Sequence, residues 1–155
     1  MKKLLFCIMI IALISCDKEE SIMQYKIDFL GGAMISSSGK TGVRTFGSSA
    51  FFKGFNKNNY PNCKSIIFMG SIAANVDPVN KIDSDTCYLE LYNITDTTII
   101  PNSTIYTISN NLVWVESGNL LDYFPDKEID ITIRLRKSEK GYMVAVNAAS
   151  IYINF

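Results

Sequence analysis

Along residues 129–136 the chain reads Ile-Asp-Ile-Thr-Ile-Arg-Leu-Arg. Ile129, Ile131, Ile133 and Leu135 fall on one side of an extended chain and polar residues on the other, which predicts a strand with one face buried and one wet. Comparable stretches lie at 25–29, 50–55, 65–76, 87–93, 103–108, 112–116 and 142–155, the last long enough to bend near Ala148 and Ala149. Clusters of Gly, Asn, Ser, Pro and Asp separate them, and beyond residue 24 no long stretch carries a helical period. Eight or nine strands on this length favour two packed antiparallel sheets, because a lone sheet would leave an apolar face uncovered. The expected fold is an all-β sandwich, in which 65–76 and 87–94 form a hairpin across the loop 77–86.

The first residues follow a different pattern. Lys2 and Lys3 precede eleven apolar residues, Leu4 to Ile14, and then Ser15 and Cys16. A basic start, a short apolar run and a small residue make a secretion signal. As a helix the run would rise only ~16 Å, about half the hydrocarbon core, so it suits a cleaved leader better than a permanent span. Leu13-Ile14-Ser15-Cys16 resembles the lipobox of bacterial lipoproteins. That resemblance implies cleavage after residue 15 and diacylglyceryl and acyl (palmitate-type) chains on Cys16, which anchor stably where a single chain would not. Asp17-Lys18-Glu19-Glu20 resembles the export signal that follows the lipidated cysteine in surface lipoproteins of the Bacteroidota group. It implies a lipid anchor in the outer membrane with display at the cell surface; a plain solvated tether on the periplasmic face is the alternative.

Without residues 1–15 the chain keeps 140 residues, enough for one domain: a tether at 16–24 and the sandwich at 25–155. Its 13 basic and 15 acidic residues give a net charge of −2 with no basic block, so nucleic-acid binding has no electrostatic support. The chain has no histidine. That removes Ser-His-Asp and Cys-His nucleophiles and the usual nitrogen ligand of catalytic zinc. With Cys7 in the leader and Cys16 taken by lipid, only Cys63 and Cys87 could pair in an oxidising envelope. The expected hairpin would hold them about 30 Å apart, far beyond disulfide reach, so two thiols are expected; a bridge would require a different topology.

The order of YPNCKSIIFMGSIAANV (60–76), CYLELYNITDTTIIPNST (87–104), VWVESGNLL (113–121) and DITIRLRKSEKGYMVAVNAASIYINF (130–155) resembles the jelly-roll, galactose-binding-like modules of phage tail and bacterial surface proteins. The resemblance rests on strand ends and turns, including a turn at Ser117-Gly118, and it implies a fold more than an activity.

Several residues are candidates for chemistry. Tyr88, Glu90 and Tyr92 alternate with Leu89 and Leu91, which would set two tyrosines and a carboxylate on an outer face, as on a sugar platform; tyrosine is equally a common strand residue. Trp114, the only tryptophan, could line a groove, although filling the core is the expected role. Asp77, Asp83 and Asp85 share a loop and could offer oxygen ligands to calcium, but they lack the EF-hand glycine and distal glutamate. No other cofactor is expected. Ser36–Gly42, SSSGKTG, fails as a phosphate-binding loop because Met34 stands where its first glycine belongs. Glu90 and Glu116 are the conceivable acid pair for glycoside hydrolysis.

These readings converge on a lipid-anchored envelope protein that binds or scaffolds without catalysis, with a glycan or a surface protein as partner. The alternative is an immunity-type or other protective lipoprotein with a single protein partner.

Overall fold

A computed structural model of the chain describes residues 23–29, 32–36, 43–46, 50–74, 86–138 and 143–155. Eleven strands occur among these residues: β1 (Gln24–Phe29), β2 (Ala33–Ser36), β3 (Val43–Thr45), β4 (Phe51–Phe55), β5 (Ser65–Ala74), β6 (Cys87–Asn93), β7 (Thr98–Ile99), β8 (Ile105–Thr107), β9 (Val113–Asn119), β10 (Ile129–Lys137) and β11 (Met143–Asn154). Among the described residues the only helical pieces are two 3₁₀ turns, Lys57–Asn59 and Leu121–Tyr123.

The strands form two sheets in which all pairings are antiparallel. Sheet A has the order β1-β11-β5-β9, with β2 also on β11; sheet B has the order β3-β10-β6-β7, with β4 also on β10 and β8 also on β6. β1 and β2 therefore share one strand position, as do β3 with β4 and β7 with β8. Eight positions remain, four per sheet, and the chain changes sheet at nearly every connection. This is the topology of a jelly roll, two interleaved Greek keys.

The expected hairpin between 65–76 and 87–94 does not form. β5 lies in sheet A between β11 and β9, and β6 lies in sheet B between β10 and the β7/β8 position. Both segments are apolar on one face, and alternation fixes which face is buried without fixing the partner. Across the sandwich, Ile66, Phe68 and Ile72 of β5 and Ile151 and Ile153 of β11 meet Leu89 and Leu91 of β6 and Ile131, Ile133 and Leu135 of β10, all buried. Gly70 is needed here: a Cβ on it would stand 2.5 Å from Leu89 Cδ2 and 3.3 Å from Ile105 Cδ1. The sheets approach closely enough at this point that only hydrogen fits.

The two cysteines are thiols, as expected, although on a different topology. Cys63 lies two residues before β5, and its Sγ is 3.3 Å from the Ser65 carbonyl; Cys87 opens β6, and its Sγ is 3.7 Å from the Ala145 carbonyl. Ala145 pairs with Ala73 and Asn154 with Ser65, so the cysteines sit toward opposite ends of β5, roughly 25 Å apart along the strand. Burial pushes the Cys63 thiol pKa up, against the smaller opposing effect of its backbone neighbours.

Candidate functional site

Side chains on the outer face of sheet A line up in rows set by register. Gln24, Asn154 and Ser65 form one row, Lys26, Tyr152 and Ile67 the next, and Asp28, Ser150, Met69 and Glu116 the third. Trp114 follows, opposite Ser71 on β5. The polar end is prearranged by its own bonds: Gln24 Nε2 donates to Asn154 Oδ1 at 2.8 Å and Asn154 Nδ2 to Ser65 Oγ at 2.8 Å. Lys26 Nζ stands 2.8 Å from Asp28 Oδ1 and 5.6 Å from the Tyr152 ring centre, and the Ser150 hydroxyl donates to the same Asp28 oxygen at 2.6 Å. The Lys26 ammonium, seconded by Ser150, holds the Asp28 carboxyl below the usual range, and Asp28 in turn raises Lys26.

Glu116 is aimed by a bulge. Between Met69↔Glu116 and Ile67↔Asn119 the register of β9 slips, and the Ser117 hydroxyl and Asn119 side-chain oxygen accept the N–H groups of Phe68 and Ile66 at 3.0 Å each. Ser117 and Gly118, expected as a turn, belong instead to this bulged strand, a device that bends a strand and re-aims its side chains. The result is a depression of about 330 Å³ lined by Gln24, Ile67, Met69, Glu116, Tyr152 and Asn154. That is at the small end of the range for ligand sites. Its floor is thioether and aliphatic, and its walls offer two amides, a carboxylate and a phenol. Trp114, two residues from Glu116 on the same face, stands beside it with 59% of its surface exposed. The core role expected for Trp114 is thus corrected: β9 is the edge strand of sheet A, so an outward side chain there has no covering layer.

Tyr88, Glu90 and Tyr92 do share the outer face of sheet B. Their chemistry is largely spent on β10. Glu90 is only 2% exposed. Its Oε2 accepts from Arg134 Nε and Nη2, both at 2.8 Å, and its Oε1 accepts from Arg136 Nη2 at 3.3 Å and Nε at 3.4 Å. The same guanidiniums lie over the tyrosines, Arg136 at 3.9 Å from the Tyr88 ring centre and Arg134 at 5.3 Å from that of Tyr92. Next to Arg134 on the same face of β10, Thr132 is buried, with its hydroxyl within reach of the Phe46 and Ala50 carbonyl oxygens at 2.5 and 2.6 Å. As a neutral sugar platform this face is therefore closed.

The sheets also separate the conceivable acid pair. Glu90 is on sheet B and Glu116 on the outer face of sheet A, with the whole core between them. Asp28 and Glu116 share a face but stand three strand spacings apart, roughly 14 Å, beyond the carboxyl separation of glycosidases. Asp77, Asp83 and Asp85 lie outside the described residues, as do Cys16 and Asp17 to Glu20. Among the described residues no three His, Cys, Asp or Glu side chains gather as a metal site would require. A larger hollow, about 620 Å³, opens beside Gly32, Ala33, Arg44, Leu112 and Ala145 to Asn147, where apart from Arg44 and Asn147 the lining is small or apolar.

Gln24, Lys26, Tyr152 and Asn154 were not singled out from the sequence, although the alternation of Ser150, Tyr152 and Asn154 with Ile151 and Ile153 marks them as outward-facing. The missing information was the strand order that places β1, β11, β5 and β9 side by side.

No family model matches the chain, and no curated protein sequence matches it. Solved structures similar to it include the infectious bursal disease virus Gx strain (9% identity over 88% of this chain and 32% of that one, TM-score 0.49). A xylan-binding module, CBM15, is 8% identical over 85% of this chain and 97% of its own, with a TM-score of 0.41. The C-terminal family 22 carbohydrate-binding module of Clostridium thermocellum Xyn10B is 10% identical over 83% and 91%, with a TM-score of 0.38. The chain spans about a third of the viral chain it resembles and most of each carbohydrate-binding module.

Proposed function

We propose that the protein is a lipid-anchored envelope module that binds carbohydrate, without catalysis, on the outer face of sheet A. The observation that carries this reading is the exposed Trp114 standing beside the depression formed by Gln24, Met69, Glu116, Tyr152 and Asn154. Aromatic faces pack on sugar C–H surfaces, and amide and carboxylate groups exchange hydrogen bonds with hydroxyls. Here the indole supplies the first, while Glu116 makes no hydrogen bond or ion pair among the described residues and is available for the second. The test is a glycan array probed with the Cys16→Ser chain, followed by the same array with Trp114→Ala. Neutral-glycan binding that disappears with the indole supports the reading; neutral-glycan binding that persists places the site elsewhere.

Anchoring rests on the sequence of residues 13–20. Among the described residues no helix is long and apolar enough to cross a membrane. Labelled palmitate should enter the wild-type chain and not Cys16→Ser, and protease shaving of intact cells separates surface display from the periplasmic face.

One observation favours the alternative of a protein partner. Tyr106, Ile108, Leu112 and Trp114 are all half exposed or more, along the side where β8 and β9 form the edges of the two sheets. Such an edge suits a protective lipoprotein that occupies one protein, and Ile108→Asp, far from the depression in register, should then abolish capture of that protein while sparing sugar binding.

A further inference from the structure

Two cations on the outer face of sheet B share one acid. Two guanidiniums, Arg134 and Arg136, converge on the single carboxylate of Glu90. They are not equivalent. Arg134 meets Glu90 through two contacts of 2.8 Å, whereas Arg136 reaches it only at 3.3 and 3.4 Å and stands over the Tyr88 ring, 3.9 Å from its centre, its side chain 30% exposed. A guanidinium has five N–H donors in a planar fork, and the Glu90 contacts engage only part of that of Arg136. Contact with Tyr88 on one side and Glu90 on the other restrains the fork, which lowers the ordering cost of a ligand.

The surroundings define the ligand. Tyr106, Tyr88 and Arg136 form one row across β8, β6 and β10, with Tyr88 and Tyr106 ring centres 6.1 Å apart. Tyr106 is 62% exposed at the open edge. The row thus presents a planar cation at one end and an exposed aromatic ring at the other, about 10 Å away by strand spacing, with the Tyr88 ring between them, so a ligand lies over the row and reaches both ends. A carboxylate matches the fork bidentately, and a ring with C–H faces matches the phenol.

We infer that the row Arg136, Tyr88 and Tyr106 is a second glycan subsite, on the opposite face from the first and selective for sugars bearing a carboxylate, that is, uronates. Glu90 does not compete with such a ligand: it is buried, and its charge is met by Arg134. The subsite stands independently of the neutral-sugar reading of sheet A, since it shares no residue with that depression.

The experiment is calorimetric titration of the Cys16→Ser chain with tetragalacturonate and with its methyl ester, which keeps the ring and removes the charge. The free acid is expected to bind at least tenfold more tightly than the ester, with affinity falling as salt is raised. Arg136→Lys keeps a cation beside Glu90 but loses the fork, and should cost at least tenfold for the free acid with an unchanged melting temperature. Trp114→Ala should leave that affinity within twofold. Equal binding of acid and ester, no binding of the acid, an Arg136→Lys chain that binds as wild type, or an equal loss in Trp114→Ala would each overturn the inference. Repeating the acid and ester titrations in the Trp114→Ala chain, which lacks the sheet A indole, reads the sheet B subsite separately from any neutral-glycan binding on sheet A.

Discussion

Arg134 holds Glu90 through two donors on one carboxylate oxygen, both at 2.8 Å, while Glu90 is buried between two tyrosines. An ion pair so enclosed by its own neighbours acts as a cross-strand clamp between β6 and β10. Removing the acid leaves two cations facing each other, and removing a partner from a buried pair is costly. Because both arginines can turn toward solvent, the cost here falls below the fully buried case. Glu90→Gln should lower unfolding free energy by about 1–3 kcal/mol in urea melts. A neutral result would mean that the clamp contributes nothing net.

Trp114 separates a surface role from a core role. A buried tryptophan replaced by alanine costs about 3–5 kcal/mol, whereas an exposed one away from special features stays within about 0.5 kcal/mol. Trp114→Ala should fall in the second class by thermal melting while abolishing neutral-glycan binding on sheet A.

The sequence carried the faces of the strands much better than their partners. In β10 and β11 alternation identifies the buried Ile131, Ile133, Leu135, Ile151 and Ile153 correctly, because a period of two is a local property. It could not tell that β5 and β6 lie in different sheets, since both present the same apolar face and the choice depends on loop paths. The same gap explains the candidate site. Tyr88, Glu90 and Tyr92 were correctly placed on an outer face, yet their closure by Arg134 and Arg136 depends on β10 lying next to β6. Trp114 was legible as alternating with Glu116; its exposure depends on β9 being an edge, which is topology. β2, β3 and β7 are too short to show a period at all.

Gly70 tests the closeness of the two sheets. Gly70→Ala drives a methyl group into Leu89, and overpacking of this kind costs about 1–3 kcal/mol. The double variant with Leu89→Val should be less destabilised than the sum of the two single changes. Simple additivity would show that the sheets part without strain.

Asp28 gives the outer face of sheet A a pH dependence of known sign. Lys26 and Ser150 hold its pKa below the ordinary value of about 4, so the stability it contributes is present above that value and is lost as the pH falls through the folded pKa. Asp28→Asn should therefore be less stable than wild type at neutral pH, with the difference vanishing in acid and shrinking in high salt. A difference that grows toward acid pH would reverse the assignment.

Because the chain has a single tryptophan and it stands at the proposed sugar site, fluorescence reads that site alone. The most direct measurement is a titration of the Cys16→Ser chain with neutral oligosaccharides, following Trp114 emission. Stacking of a sugar on the indole predicts a saturable blue shift with the same midpoint as the calorimetric heat. Heat of binding with unchanged emission, or no response from either signal across a broad glycan set, would contradict a carbohydrate site on sheet A.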